Sequence, residues 1–301
     1  MISDKRLYHI GKTLERLPDL KSLTIIPTAC VQISDEELAY LGRGIKELSN
    51  LQSLNLCFMS YFQITDEGLK SLSEGFRRLF SLQEISLSFS SFVEVTDGGL
   101  GEIWKGLKNL TSLRIMSLDF SFVRKVTDLG LSGIQRALKR LANLQRISIN
   151  FGNCTEITNC GIEYLSKGLE GLVSLQNINL NFKKCDQISG IGLVQLRKGL
   201  EKMGSLRSLN LCFYDCFMIS DKRLVGLTEG LERFVLLENL SFNFTNCLQI
   251  TDQGLRGLLK NLKGVIGFKK VQMVLDGCHQ ISYDEQKKFR EVIKNLISSK
   301  D

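Results

Sequence analysis

One interval governs this chain: 31 residues. Short triplets stand at Ile2-Ser3-Asp4, Ile33-Ser34-Asp35, Ile64-Thr65-Asp66, Val95-Thr96-Asp97 and Val126-Thr127-Asp128. They continue at Ile157-Thr158-Asn159, Ile188-Ser189-Gly190, Ile219-Ser220-Asp221, Ile250-Thr251-Asp252 and Ile281-Ser282-Tyr283. Ten anchors, 31 residues apart and without one insertion, exclude chance and make a repeat array the starting point for any fold.

Within a repeat the apolar period changes once. Leu69, Leu72, Phe76 and Leu79 follow Ile64 at the spacing of one helix face. The Ser or Thr of each triplet is placed to cap that helix, and the Asp after it suits the positive end of the helix dipole. The series Leu51, Leu54, Leu56, Phe58 and Leu82, Ile85, Leu87, Phe89 then ends in the alternation of a short strand with one buried face. A single helix–strand unit cannot bury both apolar faces, so the units must stack. Gly44, Gly75, Gly106, Gly168, Gly199 and Gly230 fall in one column inside the expected helices. Each costs about 1 kcal/mol relative to Ala there, so the column predicts close approach between neighbouring helices.

The strings "LQSLNLCF", "LQNINLNFKKCDQIS" and "CLQITDQGLRGLL" resemble the leucine-rich repeat family, in its ribonuclease-inhibitor-like and cysteine-containing subtypes. The resemblance covers essentially the whole chain. It implies an α/β solenoid of horseshoe shape, with a parallel sheet on the concave face and helices on the convex face. The repeat is longer than that of the cysteine-containing subtype, and a Phe (Phe58, Phe89, Phe120, Phe151, Phe182, Phe213, Phe244) extends the strand before the expected Asn or Cys. The expected organisation is one solenoid over residues 1–301, about ten units, with a helix at 283–299 as its C-terminal cap. Leu7, Ile10, Leu14 and Leu17 repeat the buried helix pattern with no polar cap before them. That leaves three readings of the first end: a self-capping helix, a fragment, or a surface that meets a partner, including a second copy of the chain.

The cysteines invite a chemical reading. Cys30, Cys154, Cys185, Cys216, Cys247 and Cys278 share one column with Tyr61, Phe92 and Val123, which favours a small apolar residue under the turn after the strand. Zinc needs four converging ligands, whereas these thiols run in single file about 4.8 Å apart. Cys160 lies off the column, early in a helix; of Cys154 and Cys160 it is the thiol expected to label. Nine cysteines without a secretion signal, and a first segment "MISDKRLYHIGKTLERL" without a signal-peptide core, predict free thiols and a cytoplasmic location. No apolar run approaches the roughly 18 residues that span a membrane.

Catalysis finds little purchase. A Ser or Cys nucleophile needs a base, and the two histidines, His9 and His279, lie in a terminal helix and a last loop. The glycines are columnar rather than clustered, so no phosphate-cradling loop forms, and "GVIGFKK" reads as a turn before the last strand. The expectation is a non-enzyme with no cofactor and no metal.

The strand residues between the buried positions are the better candidates. Asn55, Ser86, Ser117, Asp119, Arg146, Asn150, Asn177, Asn179, Asn181, Asn210 and Asn243 should share the concave face as a neutral Asn/Ser surface. It is nearly free of Lys, which argues against nucleic-acid backbones despite a net charge of +7. Trp104, in a column with Gly42, Ser73, Gln135, Ser166, Arg197 and Thr228, is expected exposed on the convex side as a contact residue. The loop residues Phe62, Val93, Phe217 and Leu248 form a weaker apolar edge. The function expected is protein binding or scaffolding. Two alternatives stand beside it. The "C..ITD.GL..L" phrasing resembles F-box-associated repeats of ubiquitin-ligase substrate receptors, although no F-box precedes them here. Ran-type GTPase-activating proteins use a similar solenoid, although no rim residue is nominated here.

Overall fold

A computed structural model describes residues 6–27, 33–58, 64–265 and 267–298. The first triplet, Cys30, Tyr61, Phe62 and Ser299 lie outside them. The described residues form α1 (Arg6–Leu14), β1 (Ser22–Ile25), α2 (Asp35–Lys46), β2 (Ser53–Cys57), α3 (Asp66–Phe76), β3 (Glu84–Ser88) and α4 (Asp97–Leu107). There follow β4 (Ile115–Asp119), α5 (Asp128–Leu138), β5 (Arg146–Asn150), α6 (Asn159–Leu169), β6 (Asn177–Asn181), α7 (Gly190–Leu200) and β7 (Ser208–Cys212). The last elements are α8 (Asp221–Thr228), a 3-10 turn at Leu231–Arg233, β8 (Asn239–Asn243), α9 (Asp252–Leu262), β9 (Lys270–Val274) and α10 (Tyr283–Ser298).

All nine strands lie parallel in one sheet, in chain order. Each residue pairs with the one 31 positions on, as Leu54↔Ile85, Ile85↔Met116 and Met116↔Ile147 show, so sequence period and ladder register are the same number. Helices pack about 8–10 Å apart and strands about 4.8 Å, so the sheet must take the shorter, concave path and the helices the longer, convex one. The architecture is a leucine-rich-repeat-type α/β solenoid.

Aromatic rings run through its middle. Phe58, Phe89, Phe120, Phe151, Phe182, Phe213 and Phe244 are all fully buried. Neighbouring rings stand 5.6–6.3 Å apart between centroids. After each strand the chain must turn back toward the helix, and one residue of every described turn takes a left-handed backbone. These are Ser91, Phe122, Asn153, Lys184, Asp215, Asn246 and Gly277, with φ between 58° and 73°. The next residue is the column of Phe92, Val123 and the cysteines, and all of its described members are buried. The thiols also bond: Cys154, Cys185, Cys216, Cys247 and Cys278 donate to the carbonyls of Phe120, Phe151, Phe182, Phe213 and Phe244 at 3.1–3.3 Å.

The helix starts are tied across repeats. Ser34, Thr65, Thr96, Thr127, Thr158, Ser189 and Thr251 each cap a helix, their side chains accepting from its first turn. The acid after the cap does more than face the dipole. Asp35 accepts from both the backbone N–H (2.8 Å) and the hydroxyl (2.6 Å) of Thr65 in the next repeat. Asp66, Asp97, Asp128, Asp221 and Asp252 do the same for Thr96, Thr127, Thr158, Thr251 and Ser282, and Asn159 does so for Ser189.

Four sequence expectations need correction. Leu17, expected in the buried pattern of the first helix, is exposed and follows the end of α1 at Leu14. Leu79 is buried but not helical: α3 ends at Phe76, and Leu79 closes the following turn by donating to the Phe76 carbonyl at 3.0 Å. Gly230 is not inside a helix either. Helix α8 stops at Thr228, and Gly230 adopts φ 83° before the 3-10 turn, a conformation that suits glycine. The close approach holds at Gly75, where a Cβ would run into the Gly42 backbone of α2. Trp104 is the fourth. It is 2% exposed, because its column lines the seam to the next helix rather than solvent; Gly42, Ser73, Ser166 and Thr228 are buried there too. Its indole N–H donates to the Gly130 carbonyl at 2.8 Å, and its ring meets Phe120 edge-on at 6.0 Å.

Candidate functional site

The sheet face is made of three polar rows, one for each outward position of a five-residue strand. In every described repeat from β2 to β8 the two positions between them are buried by the core. The register therefore brings all the candidate strand residues onto one surface. The middle row runs Asn55, Ser86, Ser117, Ser148, Asn179, Asn210, Ser241, Gln272. The first row holds Arg146 beside Asn177. The third holds Asp119, Asn150 and Asn181 in succession, with Asn243 after Cys212.

The rows differ in what their side chains already do. In the third row Asp119, Asn150, Asn181 and Asn243 each accept from the backbone N–H two residues on, at 2.8–3.0 Å. These four are turn anchors, and their carbonyl or carboxylate oxygens are committed to starting the left-handed turn. In the middle row Asn179 donates to the Ser148 hydroxyl at 3.1 Å. Asn179 and Asn210 are the exposed members among the row's asparagines, and Asn55 is half-buried. The first and middle rows carry no such turn duty and are therefore the better-placed part of the face to meet a ligand.

A neighbouring feature was not foreseen. At the leading ends of β3 to β5, Gln83, Arg114 and Gln145 border a shallow depression of about 370 Å³, with Ser112, Asn143 and Ser174 across from them. Its signal is a column of Gln52, Gln83, Arg114, Gln145, Gln176 and Arg207 just before each strand, amide- and guanidinium-bearing like the face itself.

The thiols divide by burial. Burial pushes Cys154 and Cys247 up to about 12 and Cys278 up to about 11. It raises Cys185 and Cys216 further, and Cys212 on the sheet face to a lesser degree. A thiol so far above its usual range does not supply the thiolate that nucleophilic or metal chemistry needs. Cys160 is exposed, as its place outside the column predicts. His9 and His279 are both exposed. Among the described residues no group of three or more His, Cys, Asp or Glu side chains could hold a metal ion. Among them, too, no helix is long and apolar enough to cross a membrane. Of the apolar loop edge, Phe217 and Leu248 are exposed and Val93 is half-buried.

Fold and face together define a leucine-rich-repeat-type solenoid with a polar sheet surface. No family model and no curated protein matches the sequence. Among solved structures, the Rad7–Elc1 complex of yeast contains a chain similar in shape. It is 16% identical, with 91% of this chain and 75% of that one covered, and the TM-score is 0.43. A likeness of that size carries no argument about activity or partners.

Proposed function

We propose that this chain is a non-catalytic protein-binding module of the cell interior, and that the first and middle rows of its sheet face carry the contact. The observation behind this reading is the division of labour on the face. The third row is committed to turns, whereas Asn177, Asn179, Asn210 and Arg146 present amide and guanidinium groups on a continuous, rigid surface. Solenoids use such extended surfaces for partners. A rigid scaffold that fixes donors and acceptors before contact avoids the ordering cost of flexible loops. The thiol–carbonyl bonds of the cysteine column support the cysteine-containing subtype within the leucine-rich-repeat class.

The test is affinity capture with Asn179→Arg/Asn210→Arg beside the parent chain. Proteins held by the parent should be lost from the variant. An unchanged set sinks the reading. A narrower form, the substrate receptor of a ubiquitin ligase, rests on the "C..ITD.GL..L" phrasing. It expects an adaptor subunit to co-purify with the parent and with the variant alike.

A further inference from the structure

The small-residue seam of the helix face carries larger side chains at Trp104, Gln135, Arg197 and Leu259, and Trp104 is its aromatic member. Where Gly42, Ser73, Ser166 and Thr228 stand in other repeats, α4 presents Trp104. Opposite it on α5 is Gly133, where a Cβ would approach the indole ring at 2.8 Å. Gly98 and Gly101 clear the α4 side at positions that hold Glu67 and Lys70 one repeat earlier. A Cβ added at Gly101 would meet nothing within 4 Å. The outcome is a groove of about 570 Å³ between α4 and α5, with the buried Trp104 and Ala137 beneath it, Glu102, Lys105, Lys108 and Arg136 along its walls, and Leu129 exposed at its side. Its size falls within the ~300–1,000 Å³ common to ligand clefts.

The groove has a charged border. Arg77, Arg78, Lys108, Arg136, Lys139 and Arg140 crowd the C-terminal ends of α3, α4 and α5, all of them exposed. None forms a salt bridge among the described residues. The nearby carboxylates are largely occupied: Lys105 holds Glu102 at 2.5 Å, and Asp97 is taken by Thr127 and Gly130, leaving Glu74. Cations are favoured at helix C-termini by the helix dipole, but that preference does not account for the cluster. The matching places after α6 and α7 hold Glu170 and Glu201.

We infer that the α4–α5 groove and its cationic border are a docking surface for an acidic peptide segment of a protein partner, with one apolar side chain of that segment seated against the exposed Leu129. The border supplies charge complementarity. The exposed Leu129 beside the groove favours a peptide over a nucleic-acid backbone, which would use the cations and leave that side chain uncovered. The inference stands apart from the sheet-face reading, because it uses the opposite surface of the solenoid.

Trp104 is the chain's single tryptophan, so its emission reports directly on the groove. The probe is a short synthetic peptide of Asp and Glu around a central Leu, titrated into the full chain at low ionic strength. The expected result is a saturable change in emission that weakens as salt rises. Lys108→Glu/Arg136→Glu should lower affinity at least ~tenfold. Gly101→Leu fills open space and should abolish binding while leaving the melting midpoint unchanged or higher. Asn179→Arg/Asn210→Arg should bind the peptide like the parent. Three outcomes overturn the inference: no saturable change, equal affinity for the peptide with Leu replaced by Ser, or tighter binding of single-stranded DNA than of the peptide.

Discussion

At the α5/α6 junction Asp128 lies beneath the start of the next helix. It accepts from the Thr158 N–H (2.8 Å), the Thr158 hydroxyl (2.6 Å) and the Gly161 N–H (2.8 Å). Gly161 is required there, since a Cβ would come within 2.6 Å of the Asp128 carboxylate. At the α7/α8 junction the acid's place is taken by Gly190 and the glycine's by Arg223. Ser220 makes no side-chain cap bond, and α8 has eight residues where α5, α6 and α7 have eleven. A Cβ on Gly190 would strike the Arg223 side chain. The two junctions keep the same volume and exchange which repeat fills it. What the second loses is the polar tie, so α7/α8 is held chiefly by sheet and core.

The phenylalanine stack crosses both junctions and gives the largest test. Removing a buried ring costs about 3–5 kcal/mol. Phe151→Ala, between rings at 5.6 and 6.1 Å, sits where polar ties remain, so the array should still unfold as one unit. Phe213→Ala, between rings at 5.8 and 6.0 Å, removes the main tie at the weaker junction. In denaturant its helical circular dichroism should fall before Trp104 emission changes, since Trp104 lies well to the N-terminal side. Coincident transitions would show that the junctions are equally strong.

Gly161→Arg imports the Arg223 solution without its glycine partner. It should cost about 3 kcal/mol by overpacking and by displacing Asp128, with Asp128→Gly restoring part of the loss. A native-like midpoint for Gly161→Arg alone would mean that the exchange of volume is coincidental. The converse cycle is smaller. Gly190→Asp and Arg223→Gly should each be neutral or harmful, and together they should stabilise by about 1–2 kcal/mol, with coupling of similar size in a double-mutant cycle.

Two smaller effects follow. Phe122 holds φ 63° while exposed, where other turns use Asn153, Asn246 or Gly277. Phe122→Asn should therefore raise stability by about 0.5–1 kcal/mol, because Asn tolerates the left-handed region better. Asp252 lies beyond the weak junction, and its carboxyl is held below the usual range, first by the Ser282 N–H. A depressed folded-state pKa contributes stability above the unfolded value of about 3.9 and loses it as pH falls through the folded value. Asp252→Asn should differ from the parent at neutral pH and converge with it in acid. The difference should be small, because Asn159 already makes the same backbone contact with Ser189 at 3.0 Å.

The period of 31 and the switch from helical to alternating spacing made the solenoid legible, because both are set by residues close in sequence. The sheet face was legible for the same reason. The role of Asp119, Asn150, Asn181 and Asn243 in starting turns was readable in principle, since an Asn or Asp bonding two residues on is local. Trp104 was misread because Gln135 and Arg197 made its column look solvated; in a stack, each helix buries flanks against two neighbours as well as its inner face. The link from each Asp to the next helix start was missed because it joins residues 30 apart in different repeats. Its trace in the sequence is the glycine at Gly130, Gly161 and Gly192, which makes room for Asp97, Asp128 and Asn159 from the repeat before.

The identity of repeat length and strand register has a genetic consequence. An exchange between two copies of the gene, displaced by one unit, would add or delete 31 residues and leave most residues facing a partner of the same kind. Joining Thr127 to Asn159, for instance, puts Asn159 in the place of Asp128. Such an array can change length in whole steps. Gly190 and Arg223 are the exception: they sit in adjacent repeats, and a breakpoint between them would leave a lone arginine against an acid or a lone glycine against a gap. That seam should be the least tolerant place for the array to grow or shrink.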